Sequence, residues 1–375
     1  MKILYGIQGT GNGHITRARA MAAELAKAGV EVDYLFSGRS PDKLFDMEAF
    51  GDFQHRDGLT FATRNGRIHA LDTLLNAKPL TLLRDIKNLQ LKPYDLILSD
   101  YEPVTAWAGK LHKKPVVALG HQYAFRYPIP QYRGSAAQRS VMRYFAPAST
   151  FLGFHWHHFN QPILPPIAPV GSHGVSFDRR HILIYLPFES VAAITSLLGQ
   201  FEDYRFSIYH PDAEAGSSPA FYRANMDWHK PARESFQQDL HRCEGVICNA
   251  GFELASETLQ LGKKLLVKPV DGQPEQYSNA MALDLLGYGH TMPDLNCEKV
   301  AKWLATGCGT RIVYPNVAAA ICAWLTAGAT GSIDDMARSL WEQTLLPDIT
   351  PATRTDSNLS ALAADSDEAR RRSHG

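Results

Sequence analysis

The chain has 375 residues, of which 45% are hydrophobic and 20% are charged. This suits two domains of roughly 150 residues and excludes a wholly disordered or fibrous chain. The 38 Lys and Arg balance the 38 Asp and Glu, which excludes a uniformly basic nucleic-acid binder. No run approaches the ~18 apolar residues of a membrane span, and Gly6 and Gly9 interrupt the N-terminus before a signal-peptide core. We therefore expect a cytoplasmic protein.

The charges divide unevenly along the sequence. Residues 1–177 carry 20 Lys and Arg against 13 Asp and Glu, a net charge of +7, which leaves 18 against 25, or −7, for residues 178–375. Four prolines crowd residues 160–174, where they disfavour helices and central strands. We therefore expect a first domain over 1–159, a Pro-rich linker over 160–178, a second domain over 179–350 and a disordered tail over 351–375.

Both halves alternate short apolar runs with longer segments of helical period, which predicts two doubly wound α/β domains with parallel sheets. In the first half the predicted elements are strand Lys2–Ile7, helix Ile15–Ala28, strands Glu31–Phe36 and Asp95–Ser99, helix Pro103–Leu111, and strands Pro115–Leu119 and Phe151–Trp156. In the second half they are strand His181–Leu186, helix Val191–Gln200, strands Tyr204–Tyr209 and Gly245–Cys248, helix Glu253–Leu261, strand Lys264–Lys268, and helices Glu275–Leu286, Val317–Thr326 and Asp334–Leu345.

A glycine-rich loop, Gly9-Thr10-Gly11-Asn12-Gly13-His14, joins the first strand to the first helix. At this edge of an open α/β sheet, the N–H groups of a helix N-terminus can bind phosphate or another oxyanion. The alternative is a tight turn with no ligand. The glycine spacing and the absence of an acidic residue after the second strand argue against an NAD site, and Arg39 leaves an NADP site as a minor alternative.

His14 ends this loop, and Asp100 follows the run Asp95–Ser99. If the strands are parallel, both side chains lie at the same sheet edge. An imidazole there can remove a proton from a hydroxyl, and an aspartate behind it can fix its tautomer. An equally good alternative is that Asp100 caps the helix that begins at Pro103.

Residues 249–280 predict a strand, a glycine turn, a helix, a second strand, a proline-bounded loop and a second helix. Glu257 has the chemistry to hold a ribose diol, and Glu275 and Gln276 can hydrogen-bond sugar hydroxyls. The alternative is that Glu253, Glu257 and Glu275 are ordinary acids near helix N-termini.

The block from Ala250 to Ala280 resembles the nucleotide-sugar signature of GT-B glycosyltransferases, and the loop ending at His14 resembles the acceptor-side loop of the MurG type. The resemblance implies the GT-B fold, in which two Rossmann-like domains face a cleft, and a metal-independent inverting hexosyltransferase. It implies His14 as the acceptor base supported by Asp100, Gly11, Asn12 and Gly13 as the acceptor and diphosphate loop, Gly251 and Phe252 against the donor diphosphate, Glu257 on the ribose, and Glu275 and Gln276 on the sugar.

Two features depart from the MurG pattern. The first strand of the second half runs into Tyr185–Ser190 without a glycine, so Ser190 or nearby amides would have to replace a phosphate-binding loop. Glu275 stands before Gln276 where MurG-type enzymes have two glutamines, so the sugar cannot be inferred from the resemblance.

The expected reaction is transfer of a hexose or N-acetylhexosamine from a UDP-sugar to an acceptor hydroxyl, with no cofactor, no metal and no nucleic acid. The run His155–His158 lacks accompanying ligands, so we interpret it as structural. His121 and Arg126 begin a basic and aromatic segment that suits an anionic, polyprenyl-phosphate-linked acceptor and peripheral contact with the inner face of a membrane. A solvated helix face explains that segment equally well. The alternatives for the whole chain are a UDP-sugar 2-epimerase and a non-catalytic nucleotide-sugar-binding protein.

Overall fold

The computed structural model describes residues 1–59, 63–64, 67–68, 79–132, 134–168 and 178–347. The predicted tail and part of the predicted linker lie outside these residues. None of the helices within them is long and apolar enough to cross a membrane.

The first half forms a six-stranded parallel sheet in the order β3-β2-β1-β6-β7-β8, with a separate two-stranded hairpin, β4-β5. Its strands are β1 Lys2–Gln8, β2 Glu31–Ser37, β3 Gln54–Arg56, β4 Thr63–Arg64, β5 Arg67–Ile68, β6 Leu96–Asp100, β7 Val116–Gly120 and β8 Thr150–Gly153. Its helices are α1 Asn12–Lys27, α2 Pro79–Asn88, α3 Pro103–Leu111 and α4 Ala136–Tyr144, and short 3₁₀ turns span Pro41–Lys43, Glu48–Phe50 and His121–Arg126.

The second half forms another six-stranded parallel sheet in the order β11-β10-β9-β12-β13-β14. Its strands are β9 His181–Tyr185, β10 Arg205–Tyr209, β11 Met226–His229, β12 Gly245–Asn249, β13 Lys264–Lys268 and β14 His290–Thr291. Its helices are α5 Val191–Leu198, α6 Ala213–Gly216, α7 Arg233–Arg242, α8 Phe252–Gln260, α9 Pro274–Leu286, α10 Cys297–Leu304, α11 Val317–Thr326 and α12 Ile333–Glu342.

Both sheets reverse their strand order at one point, and ligands bind at such points in open α/β sheets. In the first sheet the reversal lies between β1 and β6, where Ile7 is opposite Asp100. In the second it lies between β9 and β12, where Tyr185 is opposite Cys248. The predicted pair of doubly wound parallel sheets is therefore confirmed, and the loops after these four strands are the places to look for a site.

The sequence prediction missed short edge strands and several amphipathic helices. β3, β11 and β14 are two to four residues long and contain polar residues, so they lack the apolar runs that mark the central strands. The fifth predicted strand of the first half is shorter than expected. It ends at Gly153, and Phe154 forms only an isolated bridge with Leu164.

One large apolar cluster runs through both halves. It includes Ile3 and Met21 from the first sheet and its helix, and Val267 and Ile321 from the second half. Trp156 packs against Phe252 with their ring centroids 4.8 Å apart. The two halves therefore share buried apolar surface.

Candidate functional site

His14 and Asp100 meet at the point where the first sheet reverses its strand order. The His14 Nδ1 lies 2.7 Å from the Asp100 Oδ1. His14 comes from the first turn of α1, and Asp100 is the last residue of the neighbouring strand β6. The Asp100 side chain is fully buried, whereas the His14 side chain keeps 14% of its surface exposed. The structure therefore brings the two side chains together, as the sequence predicts.

Arg17 is a third member of this cluster that the sequence analysis missed. It lies one helical turn after His14, and its Nε and Nη2 donate to the two oxygens of Asp100 at 2.8 and 2.5 Å. Burial alone would raise the pKa of Asp100, but Arg17 and His14 together lower it below its ordinary value. Nη2 of Arg17 also lies 2.9 Å from Nδ1 of His14. Because Asp100 is then an anion, it can only accept a hydrogen bond, and the tautomer of His14 that donates to it from Nδ1 has Nε2 free to act as a base.

Glu253 reaches this cluster from the second half of the chain. It is in the first turn of α8, and its carboxylate forms an ion pair with Nη1 of Arg17. The Glu253 side chain also covers Gly13, where an added Cβ would lie 2.5 Å from Oε2. The close approach of the Glu253 side chain therefore explains a glycine at position 13. The resemblance implies a different reason, contact with phosphate.

The chain turns sharply after Asp100 and places two further groups near the pair. Tyr101 has a positive φ of 50°, which is unusual for a residue with a Cβ. Its ring is nearly parallel to that of His14, at a centroid distance of 6.4 Å. Glu102 caps α3 by accepting hydrogen bonds from the N–H groups of Val104 and Thr105. The alternative in which Asp100 caps this helix is therefore wrong.

The start of α8 faces the cleft as an uncapped helix N-terminus. Gly251 precedes the helix, no side chain caps it, and an added Cβ at Gly251 would meet nothing within 4 Å. The ring of Phe252 is buried and stacks on His121 at 4.0 Å. Phe252 therefore offers its backbone N–H, rather than its ring, at this helix N-terminus.

Glu257 is buried one turn further along α8. Its Oε2 accepts a hydrogen bond of 2.8 Å from Nε2 of Gln237, a residue of α7 that the sequence analysis did not single out. Burial raises the pKa of Glu257. Gln237 also lines a groove of about 1080 Å³ between the two halves, to which Arg19, Asp46 and Arg233 contribute. This groove is large enough for part of a nucleotide.

Glu275 and Gln276 begin α9 and have different surroundings. Glu275 is partly exposed and accepts a hydrogen bond from Nε2 of Gln122 at 3.1 Å. Gln276 is buried, and its Oε1 accepts from the N–H of Val270 at 2.9 Å, so it holds the preceding loop. Of these two residues, only Glu275 has its side chain near the cleft.

The two predicted acceptor-side residues are unlike one another. His121 is buried. Its Nδ1 lies 2.8 Å from the carbonyl oxygen of Phe154, and its Nε2 lies 2.5 Å from Oδ1 of Asn279. It joins the two halves rather than facing solvent. Arg126 is exposed, and its guanidinium lies over the ring of Phe151 at 3.8 Å.

The glycine loop makes one more link across the cleft. Asn12 accepts a hydrogen bond from Arg39 at 2.7 Å and donates one to the Tyr185 hydroxyl at 3.0 Å. Gly11 has room beside it, since an added Cβ would be 3.8 Å from the ring of His14. Arg39 is thus held by the loop itself.

The loop after β9 has no glycine and is organised by an ion pair. Glu189 and Lys268 are both buried, with 2.7 Å between Oε1 and Nζ. Ser190 caps α5 by accepting from the N–H of Ala193 at 3.2 Å. A second pocket of about 640 Å³ opens beside this loop. Its walls are formed by residues 187–192, His210, Pro211, Asp212, Glu214 and Ala215.

No cluster of three or more His, Cys, Asp or Glu within the described ranges could hold a metal ion. In the His155–His158 run, the Nδ1 atoms of His157 and His158 each accept a backbone N–H at 3.0 Å. These contacts hold the turn after β8.

The sequence of the chain matches the family model of glycosyl transferase family 1 over residues 1–306. No curated protein sequence matches the chain. The fold is similar to that of the glycotransferase of kitacinnamycin, with 14% identity over 92% of this chain and 99% of that chain and a TM-score of 0.52. It is similar to the spinosyn rhamnosyltransferase SpnG complexed with thymidine diphosphate, with 15% identity over 91% and 100% of the two chains and a TM-score of 0.52.

MurG from Acinetobacter baumannii also matches, at 15% identity over 90% of this chain and 92% of that chain, with a TM-score of 0.47, too low to support the MurG-like assignment. The two six-stranded parallel sheets form the GT-B fold, which the kitacinnamycin glycotransferase and SpnG share. Since the family model covers most of its length, the chain belongs to glycosyl transferase family 1.

Proposed function

We propose that this glycosyltransferase transfers a hexose or N-acetylhexosamine from a UDP-sugar to an acceptor hydroxyl with inversion and without a metal ion. The observation that carries the proposal is the His14–Asp100 pair, 2.7 Å apart, beside the uncapped start of α8. A base and an anion-binding helix N-terminus on opposite sides of one cleft are what a single displacement requires.

In this mechanism, Nε2 of His14 removes the proton of the acceptor hydroxyl as the oxygen attacks the anomeric carbon. Asp100 stabilises the resulting imidazolium through Nδ1. The bond from the anomeric carbon to the diphosphate oxygen breaks, and the N–H groups at Gly251 and Phe252 stabilise the departing charge. Glu257 holds the ribose, and Glu275 contacts the sugar.

Glu257 supports the ribose assignment because its hydrogen-bond partner is a neutral amide. Gln237 occupies only one of its oxygens, and no Lys or Arg is paired with it among the ion pairs of the described residues. A ribose diol can bond with the remaining acceptor capacity.

The first test is a thermal-shift panel of nucleotides and nucleotide sugars, followed by mass spectrometry of reactions with polyprenyl-phosphate and small-molecule acceptors. The panel includes thymidine diphosphate, because the similar SpnG was solved with that nucleotide. Stabilisation by a UDP-sugar and a product heavier by one sugar would support the proposal. Stabilisation without a transfer product would favour an epimerase or a binding protein, and a preference for thymidine nucleotides would overturn the UDP assignment.

His14→Ala should abolish transfer while UDP-sugar still raises the melting temperature as in the wild type. Glu257→Ala is the complementary variant and should lose the donor-induced stabilisation. Turnover by His14→Ala at the wild-type rate would contradict the role of His14 as the base.

We further propose an anionic, polyprenyl-phosphate-linked acceptor at the cytoplasmic face of a membrane. The support is α4 and the segment before it, where Tyr132, Val141 and Tyr144 are exposed apolar residues near Arg139 and Arg143. Amphipathic segments with exposed aromatic and basic side chains bind the surface of anionic bilayers.

The measurement is co-sedimentation with vesicles of phosphatidylcholine containing phosphatidylglycerol. The charge reversals Arg139→Glu and Arg143→Glu should abolish binding, whereas the same change at Arg179 and Arg223, exposed arginines of the second half, should not. Equal binding to vesicles without the anionic lipid would contradict the membrane proposal.

A further inference from the structure

Arg17 joins carboxylates from the two halves of the molecule. Its side chain is 2% exposed, and its guanidinium contacts both oxygens of Asp100 and one oxygen of Glu253. Asp100 belongs to the first sheet, and Glu253 lies on the helix proposed to bind the donor diphosphate. Asp100 and Glu253 are more than 150 residues apart in the chain. Arg17 therefore links them only when the two halves are in contact.

The charges of this cluster differ with and without Glu253. In the first half alone, the positive Arg17 offsets the negative Asp100, so the surroundings of His14 carry no net charge. When Glu253 is in place, the three groups sum to −1. A proton on His14 then makes the whole cluster neutral, and a nearby negative charge favours protonation of an imidazole.

We propose that Glu253 is a positioning residue that strengthens His14 as a base from the donor-binding half of the molecule, acting through Arg17 and Asp100. This rests on the proposed function, in which His14 removes the acceptor proton. The full strength of the base then depends on the packing of the donor helix against the first half.

Other groups around the cluster do not supply the same charge. Burial raises the pKa of Tyr5 and of Tyr101, so both phenols are neutral at physiological pH. Glu275, also from the second half, acts on Arg17 at longer range and has its hydrogen bond with Gln122. Among the charged groups of the described residues, Glu253 alone makes an ion pair with Arg17 from across the cleft.

The packing of Gly13 is an independent sign that Glu253 is built into this position. Gly13 is next to His14, and any side chain there would overlap the Glu253 carboxylate. Glu253 therefore contacts the backbone next to the proposed base as well as the arginine behind it.

The test is the variant Glu253→Gln, which keeps the shape of the side chain and removes its charge. The protonation of His14 is followed by NMR in the full chain with UDP bound, using the imidazole signal that is absent from His14→Ala. We expect the midpoint of the His14 titration to fall by about 0.5–1 pH unit, and the acid limb of the kcat profile to move with it. The alkaline plateau of kcat should fall by roughly 3–10-fold because the base is weaker.

Glu24→Gln is the matched control. Glu24 lies on α1, the helix that carries His14 and Arg17. Like Glu253, it bonds across the cleft, accepting a hydrogen bond from Asn316 at 3.1 Å, but it makes no contact with His14, Asp100 or Arg17. It should leave the titration unchanged. Glu253→Asp, which keeps the charge on a shorter side chain, should give a midpoint closer to that of the wild type. Glu253→Ala, which also removes the charge, replaces Glu253→Gln if that variant does not fold.

The route through Asp100 is tested in an Asp100→Asn background, where Glu253→Gln should move the His14 midpoint by less than half as much as in the wild type. An unchanged midpoint in Glu253→Gln, or in Glu253→Ala where that variant replaces it, with transfer activity intact, would overturn this inference and leave the proposed function standing. A shifted midpoint in an enzyme that forms no transfer product would sustain the charge coupling and overturn the proposed function instead.

Discussion

At the scale of single residues, Asp100 is the group on which the candidate site depends most. It contacts Nδ1 of His14 and neutralises Arg17 in a fully buried position. Asp100→Asn should reduce kcat at least about 10²-fold and lower the free energy of unfolding by roughly 3–5 kcal/mol at neutral pH, since it removes one partner from a buried ion pair. Steady-state kinetics and chemical denaturation measure the two effects.

The same residue gives a prediction about acid. The pKa of Asp100 is lowered in the folded state, so its ionised form stabilises the fold above the ordinary carboxyl range, and that contribution is lost as the pH falls through the lowered value. The melting temperature of the wild type should therefore decline more steeply below about pH 4 than that of Asp100→Asn. Parallel curves for the two proteins in this range would contradict the assignment of a lowered pKa.

Gly13 offers a second residue-scale prediction. An added Cβ would lie 2.5 Å from the Glu253 carboxylate, so Gly13→Ala should cost about 1–3 kcal/mol of stability. The cost should fall in the background Glu253→Ala, where the two nearest atoms, Oε2 and Cδ of Glu253, are gone and only its Cβ remains at 3.3 Å. Gly11→Ala is the control, because its Cβ would meet only the His14 ring at an ordinary 3.8 Å. Equal costs of Gly13→Ala in both backgrounds, measured by urea unfolding, would show that Glu253 is not what excludes a side chain.

The sequence was sufficient to pair His14 with Asp100 but not to find Arg17. Strand ends meet at one edge of a parallel sheet, so the position of each residue after an apolar run was enough to predict their proximity. Arg17 was visible as a cation one helical turn after His14, which places both on one face of α1. Its partner Glu253 is 236 residues away in the chain, and nothing in a single sequence indicates that contact.

At the scale of elements, Glu102 shows how a buried cap fixes α3. Its carboxylate accepts the N–H groups of Val104 and Thr105 at 2.8 and 2.7 Å and the Ser37 hydroxyl at 2.6 Å. Glu102→Ala should lower the free energy of unfolding by roughly 2–4 kcal/mol, because two buried backbone N–H groups and the buried Ser37 hydroxyl lose this acceptor. Ser135→Ala, which removes the exposed cap of α4, should cost less than about 1 kcal/mol. Similar losses for the two variants would contradict the importance of burial.

The elements that were predicted share a physical signature that the missed ones lack. Strands such as Gly245–Asn249 are buried throughout and apolar up to their last residue because both sheet faces are covered, whereas Gln54–Arg56 is an edge strand without a buried residue. Helix Arg233–Arg242 buries only Leu240, so its apolar period is weak. It was missed for that reason, and with it Gln237, the partner of Glu257.

At the scale of the whole molecule, the two sheets are joined by apolar packing as well as by polar contacts. The shared cluster includes Met21 and Leu25 of α1 and Ile321 and Cys322 of α11. Near the end of the described chain, Trp341 of α12 donates a hydrogen bond of 2.7 Å to the carbonyl of Ile163, within the predicted linker. The opposite net charges of the two halves, +7 and −7, favour the same association.

This continuity predicts how the chain unfolds. Two halves that share one apolar cluster lose much of their buried surface when they separate, so each should be unstable without the other. Differential scanning calorimetry should give a single transition whose van't Hoff and calorimetric enthalpies agree. Replacing Ile321 by Asp, which buries an unpaired charge in the shared cluster, should lower the melting temperature without splitting the transition, whereas Lys302→Ala, on the exposed face of α10, should leave it within about 1 °C. Two resolved transitions in the wild type would mean that the halves are energetically independent, and the coupling proposed for Glu253 would then have to operate across a weak interface.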